Sequence, residues 1–384
     1  MKKFSVVLAG MAVIAMILWI PQAAWAVQGA CVNCHTMHNS QDGAPMATED
    51  DGTTARSTPY EYLLRSSCIG CHTGDNDGSN ATPYVMSSSA PTYGPDYDGS
   101  GNLITNGTTL AGGSFYWVDA GDDSAGHNVS TLPSGNADDD LSSPPGFQAS
   151  VTLPNGGTGP GSWTGSVTCA GVYGCHGDRT VSGNMAAIKG AHHSNATGAL
   201  TTADTIGNSY RFLYGIYGNE DSDYEYQPTA TAHNQYYGTD RTGETDTDVH
   251  TISYFCAECH GDFHNGSGNL TPSGGSWGSP WLRHPTDYDM GNTAATSEYR
   301  GYVGADGATA GQYNIVAPVA SHTVTSVISS VSFNDDTIVM CLSCHRAHGT
   351  KYSDILRWDY SKMVAGNAGG YANKGCFACH TNKD

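Results

Sequence analysis

The chain has 384 residues and a formal net charge of −20, from 16 Lys and Arg against 36 Asp and Glu. That balance excludes nucleic acid and anionic membrane as partners. Charged residues make up only 14% and glycines number 49, nearly twice the usual share, so the chain is poorly supplied to build a core from its own side chains.

Lys2 and Lys3, the apolar run Phe4–Ile20, Pro21 and the small-residue site Ala24-Trp25-Ala26 read as a secretory signal over 1–26, cleaved after Ala26. The remainder, 27–384, reads as a single elongated exported domain, and no later run is apolar for long enough to span a bilayer. Its first feature is CVNCHTMH, Cys31 to His38. Two cysteines two residues apart, followed by histidine, form the attachment signature of c-type haem. The thiols add to the porphyrin vinyls and the histidine ligates iron from one side. All twelve cysteines fall into such pairs: Cys31/Cys34, Cys68/Cys71, Cys169/Cys175, Cys256/Cys259, Cys341/Cys344 and Cys376/Cys379. Each pair precedes a proximal histidine: His35, His72, His176, His260, His345 and His380. Zinc suits a lone motif of this kind. Repetition in an exported chain points to six covalently attached haem c groups. The third motif, CAGVYGCH, has five residues between its cysteines, where a Cys169–Cys175 disulfide is the alternative to a bulged haem arch.

His35 to His72 spans 37 residues and His345 to His380 spans 35, which places close haem pairs near both chain ends. Between the second and third motifs, 73–168 reads as a loop-rich wrapping segment without a haem motif. Short strands are expected at 114–118, 210–217 and 322–334, with 355–360 either a brief helix or extended. Helices are expected only as one or two turns around each motif. The fold class is thus a multihaem c-type cytochrome, mostly loops and turns with short helices and a few short strands wrapped around a chain of stacked haems.

Ten further histidines are available as second iron ligands. His38 follows His35 by three, His348 follows His345 by three, and His264 follows His260 by four. Such residues share a helix face with the proximal ligand, so they cannot bracket the same iron and must serve another. For His38 that other iron is either the second one, at His72, or one in a neighbouring molecule. His127 and His284 complete the stronger candidates. The pair His192-His193 is expected to supply one ligand, with His193 preferred and His192 and His233 as alternates, while His250 and His322 are set aside.

CVNCHTMHNS, GHN, CAECHGDFHN, LRHP, CLSCHRAH and a CFACH near the C-terminus resemble, in this order, the outer-membrane cytochrome S-like hexahaem cytochromes. These are multihaem c-type cytochromes that polymerise into extracellular nanowires. The resemblance implies bis-histidine ligation and haem contacts alternating between parallel and T-shaped. It further implies a head-to-tail homopolymer in which the position matching His38 ligates the fifth haem, at His345, of the next subunit. The five-residue third motif and the GAHH stretch depart from the pattern. The reading is an electron-transfer conduit rather than an enzyme, at the cell surface or outside it, passing electrons to redox-partner cytochromes and extracellular acceptors. Its rivals are a periplasmic or secreted reductase of nitrite, hydroxylamine or sulfur oxyanions, and a monomeric electron shuttle. A reductase needs an iron with an open position, which the histidine supply argues against.

Overall fold

The computed structural model describes residues 30–79, 82–134, 141–193, 198–241, 248–264 and 284–383. The expected signal segment, 1–26, lies outside them. Among the described residues no helix is long and apolar enough to cross a membrane.

Regular structure is sparse and much of it is built on the cysteine motifs. Helix α1, Cys68–His72, is the second motif itself, and the Ser67 side chain caps it by accepting from the Gly70 N–H. Two four-residue helices, α2 (Tyr116–Asp119) and α3 (Asn184–Ala187), lie in the connecting segments. Helix α4, Ile252–His264, carries the fourth motif and kinks at His260, whose φ and ψ are −117° and 43°. Its 13 residues exceed the one or two turns expected there. The first, fifth and sixth motifs sit on 3-10 turns at Cys31–Asn33, Cys341–Ser343 and Gly375–Ala378. At the third motif the two cysteines lie on paired parallel strands, Thr168–Ala170 and Gly174–His176. Of the five residues between the cysteines, Ala170 ends the first strand, 171–173 turn and Gly174 begins the second. Elsewhere strands pair antiparallel; the largest sheet has Gly218–Glu220 between Gly198–Leu200 and Gln235–Tyr236.

Three expected strands are not formed. Residues 116–119 make helix α2 instead, closed by the Asp119 N–H on the Phe115 carbonyl. Within 210–217 the left-handed φ values of Arg211 (50°) and Phe212 (57°) break any extended run. Over 322–334 only an isolated bridge, Gln312 with Ser330, is made. The stretch 355–360 is neither of the expected forms throughout: a 3-10 turn at Ser353–Ile355 ends there, and another begins at Tyr360.

Among the described residues four small apolar clusters stand in place of a single core. Leu200, Tyr210, Leu213, Ile216 and Met340 close on Cys175; Ile69, Phe115 and Val118 close on Cys169. Tyr97, Trp358 and Tyr371 close on Cys344 and Cys376, and Tyr302, Tyr313 and Val339 on Cys379. Each cluster therefore abuts at least one motif cysteine.

Candidate functional site

The cysteines and proximal histidines of the first five motifs line one continuous cavity of about 1860 Å³. That is about twice the upper end for a single-ligand pocket. All twelve cysteines are free thiols, Cys169 and Cys175 included.

Thiol neighbours put the sites in single file. Burial and then the Cys34 thiol of site 1 raise the Cys71 thiol of site 2. Cys68 of site 2 is raised by its hydrogen bond to Cys169 of site 3 and by burial. Burial and Cys259 of site 4 push Cys175 of site 3 up to about 12. A bond to Cys341 of site 5, with burial, raises Cys256 of site 4. Burial and Cys376 of site 6 raise Cys344 of site 5. Sites 1 to 6 thus follow one another in space as in sequence.

Every proximal imidazole is fixed through Nδ1. Acceptors are the carbonyls of Tyr62 (3.0 Å from His35), Pro83 (2.7 Å from His72), Arg211 (2.9 Å from His176), Pro145 (2.8 Å from His260) and Asp354 (2.8 Å from His345). His380 instead meets Glu298 Oε1 at 3.4 Å. A carbonyl only accepts, so Nδ1 carries the proton and Nε2 keeps its lone pair for a metal.

Odd-numbered sites share a device that the sequence reading missed. Tyr62 and Leu63, Arg211 and Phe212, and Asp354 and Ile355 are consecutive non-glycine residues at φ of 50–58°. Such conformations cost about 1–3 kcal/mol each and persist where the surroundings over-determine them. The first residue of each pair accepts from the imidazole. The second accepts the backbone N–H just past the proximal histidine: Thr36 to Leu63 at 2.7 Å, Gly177 to Phe212 at 2.7 Å and Arg346 to Ile355 at 3.0 Å. The one faint signal is the leucine that follows each pair, Leu64, Leu213 and Leu356.

Five proximal imidazoles face a second one. Ring centroids are 6.1 Å apart for His35–His193, 6.1 Å for His72–His192, 6.3 Å for His176–His348, 6.2 Å for His127–His260 and 6.1 Å for His284–His380. A metal held about 2 Å from each nitrogen, with each nitrogen roughly 1 Å from its ring centroid, requires about 6 Å. The residues therefore fit an iron porphyrin at each pair. His192 and His193 face the proximal rings of two different motifs, where one ligand was expected from the pair. His127 is held by the Ala347 carbonyl (2.7 Å) and His284 by that of Pro285 (3.0 Å). His348 is wedged against Gly112, where a Cβ would come within 2.6 Å of its Nδ1, so only glycine allows the ring its place.

His264 and His233 are placed elsewhere. The Nε2 of His264 lies 2.9 Å from Asp287 Oδ2, and its ring stands edge-on to Tyr254, so the atom a metal would need is committed to a carboxylate. His233 is buried, stacked 3.7 Å from Tyr313, with Nδ1 on the Asn234 carbonyl and Nε2 on that of Ile328. His250 stacks on Tyr217, and His322 pairs with Asp335. Among the described residues no histidine faces His345. His38 is exposed, with Nδ1 3.3 Å from Ser40 Oγ, and does not meet His72, which faces His192.

A family model described as a doubled CXXCH motif matches residues 334–384, which hold the last two sites. The chain is 27% identical to the C-type cytochrome OmcS of Geobacter sulfurreducens, over 94% of this chain and 86% of that protein. Two solved structures of that relative align: an outer membrane cytochrome S filament (20% identity, TM-score 0.44, 94% of this chain and 95% of that one) and a cryo-EM structure of OmcS nanowires (19%, 0.42, 94% and 92%). In its cysteine pairs, its facing imidazoles and its sequence the chain is similar to the C-type cytochrome OmcS.

Proposed function

We propose that this protein is an electron conduit: six haem c groups in single file, each held by two histidines, in a subunit that polymerises outside the cell. The observation that carries the reading is the linear order of the sites, in which the thiols of each lie beside those of the next. Bound haem supplies one-electron iron chemistry. The chain's own contribution is spacing, orientation and exclusion of water. Facing imidazoles would hold the group from both sides at five sites, and the Nδ1 acceptors keep the proximal rings in the tautomer that leaves Nε2 free to ligate. Histidines on both sides would leave no open position for a substrate, which sets the conduit apart from a reductase. Proximal ligands are His35, His72, His176, His260, His345 and His380; distal ligands are His193, His192, His348, His127 and His284, with His38 supplied by a second copy.

His38 is assigned by an equivalence between sites 1 and 5. Both have a 3-10 turn, a histidine three residues past the proximal one, and a left-handed pair behind the ring. At site 5 that extra histidine, His348, faces site 3, two places back along the file. Two places back from site 1 is site 5 of a preceding copy, and His345 at site 5 is the proximal ring that lacks a facing histidine among the described residues. Head-to-tail closure of that kind propagates into a filament unless it forms a ring. If His38 does not close site 5, the open face of His345 favours the reductase reading, since nitrite, hydroxylamine or sulfur oxyanions would bind there.

The test replaces His38 with Ala in the six-haem protein. Filaments should be lost to electron microscopy, and one haem in six should bind carbon monoxide when reduced. Wild-type filaments with no new carbon monoxide site would reject the assignment. Carbon monoxide or nitrite binding to intact wild-type filaments would favour the reductase.

A further inference from the structure

Site 6 differs from the others in what stands behind its proximal ring. Five proximal imidazoles donate Nδ1–H to a neutral backbone carbonyl, whereas His380 points Nδ1 at the Glu298 carboxylate, 3.4 Å away. The contact is built rather than incidental. Glu298 opens the 3-10 turn Glu298–Gly301, and its own carbonyl accepts from Thr381 Oγ1 at 2.7 Å, so the residue next to His380 holds the segment that carries the carboxylate. Gly301 packs so closely that a Cβ there would meet Thr381 Oγ1 at 2.4 Å. Tyr299 stands edge-on to the His380 ring at 5.1 Å, and the Glu298 side chain is only 14% exposed.

We infer that Glu298 is a tuning residue that makes site 6 the lowest-potential position of the file. This rests on the conduit reading. A carboxylate accepting the Nδ1 proton makes the imidazole a stronger donor to iron. Its negative charge, poorly screened at this burial, also favours the oxidised metal over the reduced one. Both effects have the same sign. A file whose sixth site gives up its electron most readily has one uphill step per copy: site 6 donates readily to site 5 of its own copy and to site 1 of the next, and is filled against the gradient from either side.

Ring orientation makes the site observable by itself. Each imidazole donates π density perpendicular to its plane, so parallel rings split the iron d orbitals and crossed rings do not. The His284 and His380 planes cross at 88°, against 14° to 52° at the other four pairs. Site 6 should therefore give a separate, highly anisotropic ferric low-spin signal in electron paramagnetic resonance.

The experiment is a potentiometric titration of that signal in the six-haem protein and in Glu298→Gln, which keeps the shape and an acceptor oxygen but removes the charge. In the wild type the crossed-ring signal should persist to the lowest applied potential of the six. In the variant its reduced-to-oxidised ratio at fixed potential should rise about tenfold, equivalent to 59 mV for a one-electron couple. Thr381→Val, which loosens the clamp without touching the carboxylate, should shift the same signal in the same direction by less, and serves if the first variant does not fold. An unmoved midpoint in a variant that still carries six haems overturns the inference and leaves the conduit standing. A native chain with fewer than six haems, or without the crossed-ring signal, overturns the conduit assignment at this site.

Discussion

Sites 1 and 5 are two copies of one device in different surroundings. In each, an arginine reaches the same places: the Arg65 N–H bonds the Cys34 carbonyl and its Nη1 the Val32 carbonyl, while the Arg357 N–H bonds the Cys344 carbonyl and its Nε the Leu342 carbonyl. Around site 5 the chain closes. Arg357 is 2% exposed, and His348 packs on Phe115 and faces His176. Around site 1 it stays open: Cys31 and Cys34 are exposed, Val32 is 58% and Met37 87% exposed, and His38 projects from the surface. The difference teaches that one device presents its extra histidine to another site in the closed copy, His348 to His176, and to the surface in the open copy. On the proposed reading, what packs against the device decides whether that histidine is used within the chain or across a joint.

The sharpest way to break this comparison is to remove the extra histidine from the closed copy. His348→Ala deletes a buried ring and opens site 3, and should cost about 3 kcal/mol of subunit stability. It should also create one carbon monoxide-binding haem within the assembled filament. His38→Ala, the matching change in the open copy, should leave dispersed subunits within about 0.5 kcal/mol of the wild type. Denaturant melts of the two holoproteins check the pair, and equal losses would mean that the two histidines sit in equivalent surroundings after all.

A second contrast lies in the arginines. Arg357 Nε donates to the Leu342 carbonyl at 2.7 Å and the His345 carbonyl at 3.0 Å in a dry setting, so Arg357→Ala leaves both acceptors unpaired. A loss of roughly 2–3 kcal/mol is expected. Arg65 makes longer bonds, 3.4 Å to the Met46 carbonyl and 3.3 Å to that of Val32, from a half-buried position. Arg65→Ala should cost less than about 1 kcal/mol in the dispersed subunit. Thermal melts of the two variants under identical conditions would expose a reversed order, which would contradict the closed and open assignment.

How much of this was legible in the sequence follows from which interactions are local. Thioether attachment demands both cysteines and the histidine within a few residues, so five motifs stand out directly and the third, with its longer spacing, stands out less. Distal ligands come from anywhere in the chain. His127, His284 and His348 stand out by neighbourhood, but the sequence cannot show that adjacent residues His192 and His193 look at different sites. His264 follows His260 by four, close to the three residues at His38 and His348, so it reads as the same device, and only the fold brings Asp287 to its Nε2. The segment 73–168 read as mere wrapping, yet Pro83 and Pro145 orient two proximal rings from within it and Gly112 makes room for His348. Left-handed pairs such as Arg211-Phe212 contain no glycine and alternate like a strand, so propensity points the wrong way.

The smallest expected effect probes the left-handed pair of the open copy. Leu63 has φ 56° and is 42% exposed, so its side chain gains little from burial in a lone subunit while its backbone bears the strain of a left-handed residue. Leu63→Gly removes both: about 1 kcal/mol of strain relieved against a comparable loss of partial burial. The Thr36 N–H bond to the Leu63 carbonyl does not depend on the side chain, so His35 stays in place. Subunit stability should therefore change by less than about 1 kcal/mol in either direction. Assembly is another matter. Leu63 belongs, with Tyr62, Val32 and Met37, to the exposed apolar surface of site 1 beside His38. If a neighbouring copy covers that surface when it receives His38, the missing leucine side chain weakens each joint by about 1–2 kcal/mol, a rise of roughly five- to thirtyfold in the concentration at which filaments appear. Sedimentation of filaments across a dilution series measures that concentration. An unchanged value with unchanged melts would mean that the neighbour meets His38 without covering Leu63, and that the joint is carried by the iron–imidazole contact rather than by apolar packing around it.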